Sequence, residues 1–288
     1  MADWLFTSDL HGQGDYYEQA LALAESGRPR VLILGGDLGP HPSGAEGVRR
    51  HRLFLEGFLV EFARRLRERT PETALVLLMG NDDCASNHDV LDRHDGDLWH
   101  VLHERVLEFD GVRVAGSSFV PITPFRLKDW ERWEDGGEES PPQLAGWVSE
   151  AGGAREFAFD PAARTPTIAD SLAMLAGACD PAATLFVLHS PARGTKCDLV
   201  HGGHHVGSRA IRRFVEERRP RLVLSGHIHE SPRVSGAWKD TLGETVLVNP
   251  GQFGSRHLAA VWFDPARPAE TLRHTVMPAT GTRDRTSF

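Results

Sequence analysis

Short apolar runs recur along the chain, and each ends abruptly in glycine or a polar residue: WLFTSD at 4–9, VLILGGD at 31–37, ALVLLMGND at 74–82, TLFVLHS at 184–190 and RLVLSGH at 221–227. Runs this short, bounded by turn-forming residues, read as buried strands. Between the first three the period changes. Asp15 to Ser26 reads as a helix closed by Gly27 and Pro29, and Glu46 to Arg69 carries Leu53, Phe54, Phe58, Phe62 and Leu66 at helical spacing. The order β-α-β-α-β predicts a mainly parallel sheet covered by helices.

A short helix is expected near Asn87 to Arg93. RVLEFDGVRVAG reads as a hairpin turning at Asp110-Gly111, a dipeptide suited to a type I′ turn, so antiparallel strands join the sheet there. A helix from Ser208 to Glu217 and strands at 245–248, 259–263 and 271–276 complete the pattern. Val120 to Pro166 breaks this rhythm with Trp130, Trp133, Trp147 and the acidic run EDGGEES. It is expected to be a surface insertion with a solvated charged face, the alternative being a lid or partner surface.

Composition narrows the class. No low-complexity linker divides the 288 residues, so one domain is expected over 1–288, with the insertion at about 120–166. A 40% hydrophobic content is enough for a sizeable core, and the net charge of -8 disfavours a surface built to neutralise many nucleic-acid phosphates. Arg209, Arg212, Arg213, Arg218 and Arg219 read as one solvated helix face rather than a basic stripe, which leaves a nuclease the weakest of the functional alternatives. Cys84, Cys179 and Cys197 are scattered and odd in number, which fits a reducing cytoplasm. The start MADWLFTSDLHG lacks the basic region of an export signal, and no apolar run approaches the length of a bilayer span.

The polar residues at the strand ends carry the chemistry. Asp9 and His11 follow the first strand, Asp37 the second, Asn81 the third, His189 the fourth, and His227 and His229 the fifth. In a sheet crossed by helices the carboxyl ends of the strands share one edge, where ligands gather. In an extended chain, D-x-H and H-x-H would face their polar residues to one side and Leu10 and Ile228 to the other. Two carboxylates, an amide oxygen and four imidazoles form a borderline donor set suited to Mn, Fe or Zn. Seven donors exceed one transition-metal site, so a pair of divalent ions bridged by Asp37 is the economical arrangement.

These residues resemble the ordered signature of the calcineurin-like metallophosphoesterase superfamily: D-x-H at 9–11, G-D at 36–37, G-N at 80–81, His189 and G-H-x-H at 226–229. The resemblance implies an α/β (α+β) fold, a four-layer αββα sandwich of two mixed sheets with flanking helices. It implies Asp9, His11 and His229 on one metal, Asn81, His189 and His227 on the other, and Asp37 on both. It further implies hydrolysis of a small phosphate ester by hydroxide activated between the two ions; the short apolar runs separately lead us to expect no membrane partner. NPGQFG at 249–254 resembles the turn that shapes the edge of such sites.

One position departs from the pattern. Where the superfamily usually has a histidine that contacts phosphate or protonates the leaving group, this chain has Asp82. A carboxylate there repels a dianionic monoester more than a monoanionic diester, so a phosphodiester is favoured. Leaving-group assistance would then come from elsewhere, with His204 and His205 as candidates on a glycine-bearing loop beside His201. Gly194, Thr195 and Asp198 either line the pocket or shape that loop. A metal-retaining interaction scaffold is the alternative to an enzyme, and seven retained ligands argue against it.

Overall fold

The computed structural model describes residues 3–135, 143–252, 254 and 256–278. Its strands, in chain order, are β1 (Trp4–Thr7), β2 (Val31–Leu34), β3 (Ala74–Leu77), β4 (His100–Val101), β5 (Arg105–Phe109), β6 (Val112–Ser117), β7 (Val120–Pro121) and β8 (Glu131–Arg132). They continue with β9 (Ala145–Glu150), β10 (Gly153–Ala158), β11 (Thr184–Leu188), β12 (Leu222–Leu224), β13 (Lys239–Leu242), β14 (Thr245–Val248), β15 (Val261–Phe263) and β16 (Arg273–His274). The principal helices are α1 (Gly14–Gly27), α2 (Gly44–Leu53), α3 (Val60–Arg69), α4 (His88–Asp92), α5 (Ile168–Ala178) and α6 (Arg209–Arg218).

Twelve of these strands form two six-stranded mixed sheets, in the orders β16-β15-β1-β2-β3-β4 and β13-β14-β12-β11-β6-β5. The first runs parallel from β1 to β4, with β15 and β16 antiparallel at one edge. In the second, β6, β11, β12 and β14 are parallel, and β5 and β13 are antiparallel edges.

Alternation along the strands builds the layers. Trp4, Phe6, Val31, Ile33 and Val76 of the first sheet share a buried cluster with Val114, Leu185, Val187, Leu222 and Val246 of the second. Their neighbours Leu5, Leu32, Leu34, Leu75 and Leu77 instead cluster with Tyr17, Leu21 and Phe62 of α1 and α3. On the far side, Phe186 and Val223 meet Leu172 of α5 and Ile211, Phe214 and Val215 of α6. The result is the expected helix-sheet-sheet-helix sandwich. Each large apolar side chain fully buried this way stabilises the fold by roughly 1.5–3 kcal/mol.

The hairpin turn falls where Asp110-Gly111 placed it, with φ of 51° and 81° at the two residues, both positive as a type I′ turn requires. The run 46–69 is continuously helical but contains a π-helical turn at Phe54–Leu59 that its apolar spacing does not reveal. The strand expected at 259–263 is confined to β15, and that at 271–276 to β16, because Thr271 closes a short helix. Helix α5 has no strong apolar period to mark it, although its capping box, Thr167 with Asp170, stands in the sequence. The β9–β10 hairpin lies in the stretch expected to be an irregular insertion, because β10 is largely exposed and lacks a clear two-residue period. Of the acidic run, only Glu134 and Asp135 lie within the described residues. No helix among the described residues is long and apolar enough to cross a membrane.

Candidate metal centre

The loops after β1, β2 and β3 in one sheet and after β11 and β12 in the other meet at one edge of the sandwich. Backbone hydrogen bonds join them. The Asp9 amide donates to Gly36 O at 3.0 Å, His11 N to Asp37 O at 2.8 Å, and Gly226 N to His189 O at 3.0 Å. The Asp37 carboxylate accepts from the Asp82 amide at 2.8 Å, and Asp9 Oδ1 accepts from the His227 amide at 2.9 Å, so the candidate ligand side chains also tie the loops.

Asp9, His11, Asp37 and His227 all take positive φ, at 60°, 45°, 51° and 65°. Non-glycine residues adopt this region at a cost, and such strain concentrates at functional sites. It also corrects the extended-chain argument. Leu10 and Ile228 are buried as expected, but left-handed turns, not strand alternation, bring Asp9 with His11 and His227 with His229 to the centre.

The seven residues form two adjoining groups. Asp9, His11, Asp37 and His229 each offer a ligand atom, all within 4.8 Å of one another. His11 Nε2 and His229 Nε2 stand 3.0 Å apart, and His229 Nε2 lies 3.4 Å from Asp9 Oδ1. In the other group, Asn81 Oδ1 is 3.2 Å from His189 Nε2 and 2.5 Å from His227 Nδ1. Asp37 Oδ2 faces both, 3.7 Å from His11 Nε2 and 3.4 Å from His189 Nε2.

The donor set fits divalent cations. Asp9 Oδ2 is buried without a hydrogen-bond partner, an arrangement that a cation would satisfy. The imidazoles respond strongly to their neighbours. Burial alone would lower His189, but the Asp37 and Asp9 carboxylates outweigh it and raise it to about 9. His229 is raised to about 9 in the same way, chiefly by Asp9. Burial and the neighbouring His189 lower His227 to about 3.

A second layer fixes these loops. Buried Asp83 accepts the amides of Leu38, Gly39 and Gly80, each at 2.9 Å, and pairs with His51 at 2.9 Å. One carboxylate therefore holds both the Asp37 turn and the Asn81 turn. Asn249 Nδ2 donates to Gly226 O at 3.2 Å and Ile228 O at 3.0 Å, and Gln252 Nε2 donates to Ser8 O at 3.1 Å. The NPG turn thus shapes the site edge as its resemblance implied, although Phe253 lies outside the described residues. Two glycines leave room for the ligands. A Cβ at Gly80 would stand 2.3 Å from Asp37 Oδ1, and one at Gly226 would stand 2.4 Å from Asp9 Oδ2.

The model of the calcineurin-like phosphoesterase family matches residues 4–231. The chain belongs to that family. It is a hydrolase of phosphate esters whose family carries a dinuclear divalent metal centre. Among solved structures, one resembles this phosphoesterase with a TM-score of 0.64 at 14% identity, over 95% of this chain and 98% of the other. TT1561 of Thermus thermophilus follows with a TM-score of 0.57 at 18% identity, over 95% and 97% of the two chains. At such identities the likeness speaks for the fold alone. No curated protein matches the chain.

A cavity of about 640 Å³ opens over the phosphoesterase's metal centre. Asp37, Asn81, Asp82, His227 and His229 line it on one side. His41, which the sequence did not single out, lines it too, with Nδ1 2.6 Å from Asp82 Oδ2 and its ring stacked on His11 at 4.1 Å between centroids. The hydrogen bond to Asp82 raises the His41 imidazole above its ordinary value despite burial. Burial would raise Asp82, but the His41 bond and the neighbouring imidazoles bring it below the usual carboxylate range.

The loop of His204 and His205 sits differently. His205 Nδ1 is held by Asp198 at 2.7 Å, and neither histidine is among the described residues that line the cavity. Asp198 also accepts the amides of Gly194 at 3.0 Å, Thr195 at 2.8 Å and Gly207 at 3.0 Å, so it shapes this loop rather than lining the pocket. No spacing rule links His41 to Asp82, so the sequence signal for the pair was only a histidine on the loop after Asp37.

Proposed function

We propose that this phosphoesterase cleaves phosphodiesters, with Asp9, His11 and His229 on one divalent ion, Asn81, His189 and His227 on the other, and Asp37 between them. The observation that carries the diester preference is Asp82, an acid in the cavity wall beside the centre, whose Oδ2 lies 2.6 Å from His41 Nδ1 and 3.9 Å from His11 Nδ1. A monoanionic diester meets less repulsion there than a dianionic monoester.

The bound ions would supply Lewis acidity that activates water and offsets charge on the phosphoryl oxygens. The chain does the rest. Asp37, tied to the Asp82 amide, keeps the two ligand groups in register, and the Asp83 network holds the turns that present Asp37 and Asn81. Asp82 fixes His41 through Nδ1, leaving Nε2 without a described partner. We therefore place His41, positioned by Asp82, at the leaving-group oxygen ahead of His204 and His205.

The test is hydrolysis by purified, manganese-loaded protein of para-nitrophenyl diesters and monoesters against an Asp37→Asn control. Diester turnover well above the control supports the reading. A rate equal to the control for every ester would defeat it, and a monoester preference would defeat the diester assignment alone.

A further inference from the structure

The far wall of the cavity comes from the segment between β6 and α5. Phe125, Arg126 and Leu127 line it together with Trp147 of β9 and Arg155 of β10. This wall is anchored to the loop that carries Asn81 and Asp82. Asp129 accepts the amides of Ala85 and Ser149, each at 2.8 Å, and the Ser149 hydroxyl accepts the Ser86 amide at 2.9 Å. Trp130 Nε1 donates to Asp83 O at 2.9 Å, and Arg49 of α2 reaches Gly152 O at 3.2 Å. Val48, Cys84, Leu127 and Trp147 close a small buried cluster beneath it. The wall is thus fixed relative to the ligand loops, and the room between them is set by the fold.

Its chemistry selects what fills that room. Phe125 is 54% exposed, and among the described residues it is the one exposed large apolar side chain lining the cavity. A lone exposed apolar residue is ordinary elsewhere on a surface. Here it lines the same cavity as Asp37, Asn81, His227 and His229, in a wall that also presents Arg126 and Arg155, and guanidinium groups, like aromatic rings, stack on planar groups. Arg126 pairs with Glu156 at 3.4 Å and Arg155 with Glu150 at 2.6 Å, so the wall does not demand a second anionic group. A phosphoryl group alone leaves most of this volume unfilled, since cavities of this order take ligands of drug size.

Building on the diester reading, we propose that the substrate's retained ester arm is a planar aromatic group of aryl or nucleobase type, stacked on Phe125 of this fixed wall. The test compares bis(para-nitrophenyl) phosphate with methyl para-nitrophenyl phosphate, which share a leaving group and differ only in the retained arm. The manganese-loaded protein should prefer the aryl arm in kcat/KM, and Phe125→Ala should shrink that preference about tenfold, as expected for loss of one ring stack. Absence of an aryl preference, or a ratio that moves by less than about twofold in the variant, the scatter of an ordinary surface change, would overturn the proposal. Calorimetric binding of phenylphosphonate against methylphosphonate reads the same wall without turnover. If no ester is hydrolysed, the hydrolytic reading fails, and the phosphonate preference with its dependence on Phe125 still decides the wall.

Discussion

Asp82 Oδ2 lies 2.6 Å from Nδ1 of His41, and the His41 ring is stacked on His11, a member of the candidate metal-ligand cluster. A carboxylate at the mouth of an anion-binding centre is thereby given a partner from a separate loop.

Removing that partner should expose the acid. Coulomb energy between unit charges about 4 Å apart is about 4 kcal/mol at an effective dielectric near 20, and solvent reduces it at a partly exposed pair. His41→Ala should therefore lower kcat/KM for a monoester about tenfold more than for a diester. Asp82→His should act oppositely and raise the monoester rate relative to the diester rate. Steady-state kinetics on matched para-nitrophenyl esters checks both, and an unchanged ratio in both variants would remove Asp82 as the source of selectivity.

Gly226 has no space for a side chain, because a Cβ there would stand 2.1 Å from Ser8 Oγ and 2.4 Å from Asp9 Oδ2. Gly226→Ala should displace Asp9 and weaken manganese binding about ten- to hundredfold, the usual cost of disturbing the support of a metal ligand. Titration calorimetry measures it, with circular dichroism to verify that the fold is kept. Undiminished affinity would place Asp9 outside the centre.

Asp83 is a structural acid. Burial would raise its carboxyl, but the His51 bond and the Gly39 and Gly80 amides bring it below its ordinary value. Asp83→Ala leaves His51 and three buried amides without their acceptor, and should cost about 3–5 kcal/mol. Urea denaturation reads this as a lower midpoint, and a shift under about 1 kcal/mol would contradict the network's role.

His103 predicts a pH dependence away from the metal centre. Burial, then the neighbouring His88 and Arg132, lower it to about 3 from 6.5, and its Nδ1 accepts the Ser118 amide at 3.1 Å. The unfolded chain binds a proton at this residue below pH 6.5 while the folded chain does not until about pH 3. Stability from this group is therefore present above 6.5 and falls as the pH drops toward 3. Its slope approaches about 1.4 kcal/mol per pH unit. His103→Asn should flatten the profile of unfolding free energy against pH by that amount, and parallel profiles would refute the assignment.

Most of the sandwich was legible in the chain because parallel strands buried on both faces read as unbroken apolar runs. WLFT, VLIL and TLFVL could be nothing else once glycine and polar residues bounded them. The hairpin β9–β10 was not legible. Its exposed strand carries Arg155 and Glu156 where a periodic strand would show apolar residues, and the hairpin is held through Ser149 of β9 by Asp129, which lies outside it. Helix α5 was legible only through its capping box. Gly194, Thr195 and Asp198 look like pocket residues in sequence, but the amides that converge on Asp198 make them part of the loop's own framework.

By itself the sequence determined which seven donor side chains stand at the strand ends as candidate ligands, because a metal centre needs particular donor atoms and those atoms are covalent facts of the chain. Tertiary structure decided what faces them: His41 against Asp82, Asp83 beneath two turns, and Phe125 across the cavity. Each of these depends on distances between loops far apart in sequence. Local periodicity carries no information about such distances until both sheets have packed.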